Sequence, residues 1–346
     1  MRKWNVGVVG VTGAVGRTML ACLREVDMPI GSLLGFASSR SAGSYLPEGG
    51  PWGEGIEVNL PTERALAGLD LVLLSAGAAV SAEIVPMVTA MDAWAVDNSS
   101  AFRLDPGVPL IVPEVNGRRI PDRRGPIANP NCSVIQMVVA VSPLAARFGL
   151  RRVHVATYQS VSGRGQKGVT ALRAERGGAQ PDAGVFPDRI DGNVIPQCDS
   201  FVGEGFTREE QKMVLETRKI LELPELPVHP TCVRVPVEVG HSEAVHLELE
   251  EPASVEQVRA TLAGLPGVKL LDDPSAEIYP TARAAAGTNE VWVGRIRVDR
   301  SDPRILQLWV VADNLRKGAA WNAVQIACLL HARETGHACL PLAARV

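Results

Sequence analysis

The sequence is short of most features that would assign a protein at once. Its six cysteines (22, 132, 198, 232, 328 and 339) include no CxxC pair, and they are far too sparse for a disulfide-stapled secreted domain, so reduced thiols are expected. No apolar run reaches the roughly 18 residues of a membrane-spanning helix, because Asp70, Glu83 and Pro86 break the longest candidate. After Met1-Arg2-Lys3 the chain passes directly into a Gly-containing run, too short for the apolar core of a secretion signal. Charge excess is missing too: the formal net charge is -3 with Lys and Arg scattered along the chain, which speaks against a nucleic-acid or anionic-membrane partner. These absences lead to the expectation of a soluble, cytoplasmic protein that acts on small molecules, with no metal site, no nucleic-acid partner and no membrane segment.

What is present suits two packed domains: 346 residues, 46% of them hydrophobic. The first third alternates β-branched runs with helix-like stretches, the pattern of βαβ units on a parallel sheet. Asn5–Val9, Leu33–Ala37, Leu69–Ser75, Ala93–Asp97 and Leu110–Val112 read as strands, Ala14–Glu25 and Ser81–Ala90 as helices, and Gly43–Gly55 as a loop. Beyond about residue 150 the texture becomes α+β, with strands at Arg152–Gln159, Thr231–Val237 and Ala244–Glu250. Between Gly178 and Gly205 runs a long Gly-, Pro- and Asp-rich segment, of the kind that is usually functional or interfacial. Thr207 and Glu210 have the spacing of a capping box for a helix to about Leu221, and the Ala-rich stretch Asn314–Leu330 predicts a helix that packs back on the first domain.

Gly10-Val11-Thr12-Gly13-Ala14-Val15-Gly16 falls where a strand ends and a helix begins. Glycines there let the backbone turn tightly and approach a pyrophosphate, which the helix N-terminus favours. The GxxGxxG spacing is looser than GxGxxG, so an ordinary strand-to-helix turn is the competing reading. At the end of the second strand, where an acid usually meets the ribose of NAD, stand Ser38, Ser39, Arg40 and Ser41. Hydroxyls and a guanidinium suit the 2′-phosphate of NADP; the alternative is a solvated loop charge.

Asn129-Pro130-Asn131-Cys132-Ser133 is a turn followed by an apolar helical stretch from Val134 to about Phe148. Cys132 therefore sits at a helix N-terminus, a position that favours a reactive thiolate and offers backbone N–H groups to an oxyanion. A small buried hydrophobe is the commoner role of a single Cys, and the other five are read that way. His241 follows a Gly beside a strand and pairs chemically with a thiol nucleophile; the remaining histidines read as surface or packing residues.

Taken together, GVTGAVG, SSRSAG, Asp97-Asn98-Ser99-Ser100-Ala101-Phe102-Arg103, NPNCS, Tyr158-Gln159-Ser160-Val161-Ser162-Gly163, Asn193-Val194-Ile195-Pro196, Glu216-Thr217-Arg218-Lys219, TCVRVPVEVGHSEAV and Asn314-Leu315-Arg316-Lys317-Gly318-Ala319-Ala320 resemble the aspartate-β-semialdehyde dehydrogenases over essentially the whole chain. The resemblance implies an N-terminal Rossmann-like NADP-binding domain (1–130), an α+β catalytic and dimerisation domain (131–313), and a C-terminal helix (314–346) returning to the first. It implies a homodimer that converts L-β-aspartyl phosphate to L-aspartate-β-semialdehyde, on the route to lysine, methionine and threonine. Cys132 is then the nucleophile, His241 the acid and base, and Gln159 the residue that orients the substrate. Arg234 would bind the substrate carboxylate, Glu216 its ammonium, and Arg103 and Lys219 its phosphate, with Asn131, next to the nucleophile, also binding the substrate. Ser162, Gly163 and Asn314 would join Gly10 to Gly16 and Ser38 to Ser41 at the cofactor. Rival readings are an N-acetyl-glutamyl-phosphate reductase, a CoA-ester reductase, a papain-like hydrolase and a non-catalytic relative.

Overall fold

The apolar run Trp4–Val9 forms β1 of the structure, a computed structural model that describes residues 2–47 and 55–339. After it come α1 (Ala14–Leu23), β2 (Ile30–Phe36), β3 (Tyr45–Leu46), β4 (Ile56–Asn59), the single-turn α2 (Glu63–Leu66), β5 (Leu71–Leu74), α3 (Ala78–Ala90), β6 (Trp94–Asp97), the single-turn α4 (Pro113–Asn116) and β7 (Pro126–Ala128). The strands lie in the order β3-β4-β2-β1-β5-β6-β7, parallel throughout except where β3 meets β4. Strand order reverses at β1, the kind of switch point beyond which doubly wound sheets bind ligands.

Unbroken apolar strands arise here because both faces of the sheet are covered. Leu71 and Leu73 join one core with Met19, Leu20 and Leu23 of α1, while Val72 and Leu74 join another with Ile84, Val85 and Val88 of α3. The first core is completed by the C-terminal helix Trp321–Thr335, through Trp321, Val324, Ile326 and Leu330. Trp94 Nε1 donates to Glu334 Oε1 at 2.7 Å, and Arg124 holds the same carboxylate with bonds of 2.8 and 2.7 Å. Met1–Pro130 with Ala319–Val346 thus make one unit and Asn131–Gly318 the other. Residues 314–318, expected with the C-terminal segment, belong to the second.

That second unit opens with α5 (Cys132–Phe148) and continues through β8 (Arg152–Gln159), α6 (Gln166–Arg176), the short pair β9 (Phe201–Gly203) and β10 (Phe206–Thr207), α7 (Arg208–Leu221), β11 (Val228–Arg234), β12 (His241–Glu248), α8 (Val255–Leu262), β13 (Val268–Leu270), α9 (Ala282–Ala285), β14 (Val291–Val298) and β15 (Ile305–Ala312). A six-stranded sheet in the order β11-β8-β12-β15-β14-β13 is parallel only at its two ends. Its strands alternate: along β8 the residues Val153, Val155, Thr157 and Gln159 are buried and the intervening ones are partly or fully exposed. Thr207 caps α7 with the reciprocal Glu210 bond of a capping box.

Several elements depart from the sequence reading. β11 begins at Val228, ahead of the expected Thr231, because it is an edge strand and so tolerates Pro230. β12 runs Val-poor from His241 rather than Ala244–Glu250. Leu110–Val112 forms no strand, only a bridge from Leu110 to Ala128. The helix expected from Asn314 starts at Trp321, after a wide turn over Arg316–Ala320. Of the Gly43–Gly55 loop, Tyr45–Leu46 pairs with β4, and 48–54 lie outside the described residues.

At the switch point Gly10 has φ +83°, and a Cβ on Gly16 would stand 2.2 Å from the Gly10 carbonyl oxygen. Gly16→Ala should therefore lower stability by about 2 kcal/mol and weaken dinucleotide binding, checked by urea unfolding and by NADPH fluorescence titration.

Candidate active site

Asn131 is the N-cap of α5: its Oδ1 accepts from the N–H groups of Ser133 (2.9 Å) and Val134 (3.3 Å). Helix geometry therefore begins at Cys132, two residues before the expected start. Cys132 as a residue is partly buried. Gly318 packs so closely that a Cβ there would meet Cys132 Cβ at 2.9 Å and Asn314 Cβ at 3.6 Å.

His241 is fully buried. Its Nδ1 accepts from the Ser160 backbone N–H at 3.0 Å, with the Ser160 hydroxyl 3.1 Å away. Nδ1 is thereby kept unprotonated, and the neutral ring carries its hydrogen on Nε2, which has no hydrogen-bond partner among the described residues. Burial first, and the Arg234 charge second, push His241 well below its ordinary 6.5. Asn314 ties the cluster together, accepting from the Ser160 hydroxyl (3.0 Å) and Gly240 N–H (2.9 Å) and donating to Ser162 Oγ (2.9 Å). A Cβ on Gly163 would stand 2.6 Å from Arg234 Nη1 and 3.4 Å from His241 Nε2, so both groups face the same small space.

Arg234 ends β11 in register with Gln159 at the end of β8. Its Nη1 donates to the Ser160 carbonyl at 2.7 Å, and it lines a cleft of about 240 Å³ with Arg164, Gln197 and Asp199. Gln159 Nε2 donates to Ser133 Oγ at 2.9 Å and Glu209 Oε1 at 3.2 Å. The same Glu209 oxygen accepts from Asn131 Nδ2 at 2.8 Å, and Lys212 Nζ sits 3.1 Å from Oε2 and 2.8 Å from Asp199 Oδ2. Burial works to raise the Glu209 carboxyl, but Lys212, Asn131 and Arg234 together outweigh it and hold it below its usual value.

Glu209, which binds both Gln159 and Asn131, and its ion-pair partner Lys212 were not among the site residues expected from the sequence. Glu216, expected to meet the substrate ammonium, instead accepts the Asn131 backbone N–H at 2.7 Å and is 1% exposed. Lys219 lies further along the same helix, partly buried. The signal that would have found them is periodicity: Glu209, Lys212, Glu216 and Lys219 are spaced i, i+3, i+7, i+10 and share one face of α7.

In the first unit, Gly13 is the N-cap of α1 and supplies no side chain to its N–H groups. With Gly10 and Gly16 it leaves a cradle that a Cβ would fill, which fits a pyrophosphate; Thr12, Ala14 and Val15 border it. Ser38 closes a tight turn after β2 by accepting from Ser41 and Ala42 N–H. Ser39 and Arg40 are exposed on that turn. Arg103 is 8% exposed and donates to the carbonyls of Asn129 (2.9 Å) and Asn98 (2.7 Å). Among the described residues no group of three or more His, Cys, Asp or Glu side chains is arranged to hold a metal, and no helix is long and apolar enough to cross a membrane.

Two family models match this architecture: the NAD binding domain of semialdehyde dehydrogenases over residues 5–122 and their dimerisation domain over 141–317. An aspartate-semialdehyde dehydrogenase from Legionella pneumophila is 49% identical over 336 residues, covering 95% of this chain and 96% of its own. The crystal structure of aspartate semialdehyde dehydrogenase II from Vibrio cholerae complexed with ASA superposes with a TM-score of 0.89 at 43% identity, covering 95% and 98%. That of the Candida albicans enzyme with NADP gives 0.76 at 26%, covering 96% and 99%. The chain belongs to the aspartate-semialdehyde dehydrogenase family.

Because His241 is held neutral, the unfolded chain takes up a proton near its ordinary 6.5 that the folded protein refuses. Stability should fall as pH drops below 6.5, by up to about 1.4 kcal/mol per pH unit from this one group, with no contribution above. Urea titrations of wild type and His241→Asn between pH 5 and 8 check this; the variant should show the shallower acid slope.

Proposed function

We propose that this chain catalyses the NADPH-dependent reductive dephosphorylation of L-β-aspartyl phosphate to L-aspartate-β-semialdehyde, a step toward lysine, methionine and threonine. The observation that carries the reading is the hydrogen-bonded group of Asn131, Gln159 and Glu209 at the start of the helix that bears Cys132, with Arg234 and the His241 imidazole both held to Ser160. The Cys132 sulfur attacks the acyl carbon, the bond to the phosphate oxygen breaks, and a thioester remains. The reduced nicotinamide, when bound, supplies the hydride that brings the acyl group to the aldehyde level, and the C–S bond then breaks to release the aldehyde and return the Cys132 thiolate. Gly10, Gly13 and Gly16 would hold the pyrophosphate, and Ser162, Gly163 and Asn314 would border the ring.

The other residues bind and orient. The Arg234 guanidinium suits a planar carboxylate, and Glu209 replaces Glu216 as partner of the substrate ammonium. Lys212, in place of Lys219, and Arg103 are read as the cations for the phosphate. Glu216 fixes the nucleophile loop. With Nδ1 committed to Ser160, the resting His241 ring meets the substrate as an Nε2–H donor, placed to hold developing charge on the carbonyl oxygen or sulfur, rather than as a base already free to take a proton. A free ammonium in the substrate explains a buried carboxylate at Glu209 that the acetamide of an N-acetyl-glutamyl phosphate would not need.

We further read Ser38, Ser39, Arg40 and Ser41 as the 2′-phosphate site, which favours NADP over NAD; Arg40 has no ion-pair or hydrogen-bond partner among the described residues. The family's dimerisation domain makes a homodimer the assembly we expect, and the cytoplasm its location. The deciding experiment is phosphate-dependent NADP reduction with L-aspartate-β-semialdehyde, run beside N-acetylglutamate semialdehyde. Cys132→Ala should abolish turnover with NADP affinity nearly unchanged; undiminished turnover ends the covalent proposal. Arg40→Ala should weaken NADPH by roughly tenfold, one charge-assisted contact, and leave NADH affinity alone.

A further inference from the structure

Sequence reasoning leaves Cys328 and Cys339 as inert core thiols, yet in the first unit they form a pair. The C-terminal helix stops at Thr335, where Gly336 in the left-handed region (φ +73°) turns the chain back along the helix. That reversal sets Cys339 over the helix face bearing Cys328 and His331, which are three residues apart. Cys339 Sγ lies 3.6 Å from His331 Nδ1 and 3.9 Å from the His337 carbonyl oxygen, and it packs against the core that contains Cys328. Each thiol shifts the other: the proximity pushes Cys328 well above its ordinary value and draws Cys339 below its own, against burial and the Asp27 charge. Cys328 is 8% exposed and Cys339 only partly buried. A reachable sulfur beside a buried one, over the same helix face, is the arrangement of an attacking and a resolving thiol.

We propose that Cys339 and Cys328 form a peroxide-sensitive thiol pair, separate from Cys132, that closes into a disulfide and clasps residue 339 to the C-terminal helix. In the first step the Cys339 thiolate attacks hydrogen peroxide: an S–O bond forms, the O–O bond breaks, and hydroxide leaves, so the sulfur loses two electrons. In the second, Cys328 gives up its proton and attacks the Cys339 sulfur, the S–S bond forms, and the S–O bond breaks to release water. Two thiols and one peroxide become one disulfide and two waters, and a dithiol reductant reverses the change. The inference does not rest on the activity proposed above.

The test uses the full chain with Cys132→Ser, which removes the other candidate nucleophile. After equimolar hydrogen peroxide, alkylation and digestion, mass spectrometry should find the Cys328 and Cys339 peptides joined, lighter by two hydrogen atoms and separated again by dithiothreitol. Both thiols fully alkylated, Cys339 oxidised without a link, or Cys328 joined to Cys22 would each overturn the pairing. In a second measurement, Cys328→Ala should slow iodoacetamide labelling of Cys339 severalfold at neutral pH; an unchanged rate means that the buried thiol does not activate its neighbour. Cys339→Ser should keep basal activity and abolish the link.

Discussion

The position of the Cys132 sulfur depends on Asn131 more than on any other residue. One side-chain oxygen caps the helix that begins at Cys132, the side-chain nitrogen is held by Glu209, and the backbone N–H is held by Glu216. An N-cap of this kind contributes about 1 kcal/mol, and a buried bond to a carboxylate about as much again or more. Two buried glutamates about two helical turns apart on α7 therefore act on a single asparagine, and α7 itself is started by its own capping box. The chain from Thr207 to Glu216 is in effect the mould in which the nucleophile loop is set.

Around that loop the second unit gathers groups from four elements that are distant in sequence. β8 contributes Gln159, the turn after it Ser160 and Ser162, β11 contributes Arg234 and β12 contributes His241, while Asn314 follows β15. Adjacent register of β11 and β8 puts Arg234 beside Gln159, and antiparallel pairing of β12 with β15 sets His241 opposite Ala312, two residues before Asn314. Burial has a cost that the site turns to use: the imidazole stays neutral, and the Glu209 carboxylate stays charged only because Lys212 and two further donors surround it.

Much of this was legible in the sequence, and the reasons differ from one part to another. The parallel sheet showed through apolar runs such as Leu71–Leu74, which only a doubly covered strand requires, and the glycine turn showed because its spacing fits few other purposes. Cys132 and His241 stood out by residue type and local setting. Glu209 and Lys212 did not, since a charged stripe on a helix ordinarily faces water, and only the packing of α7 on α5 turns that stripe inward. β11 was displaced by three residues because a proline inside a strand reads as a break unless the strand is known to lie at an edge. Cys339 lay hidden for a related reason: its meeting with Cys328 depends on a reversal at Gly336, a three-dimensional event with one residue as its trace.

The bond that fixes the His241 tautomer comes from the main chain of Ser160. Side-chain variation at position 160 leaves an amide hydrogen in place for nineteen of the twenty amino acids, and proline alone removes it. The protonation pattern of the imidazole is therefore insulated from point mutation in a way that the carboxylates of α7, each a side chain that one codon change can delete, are not.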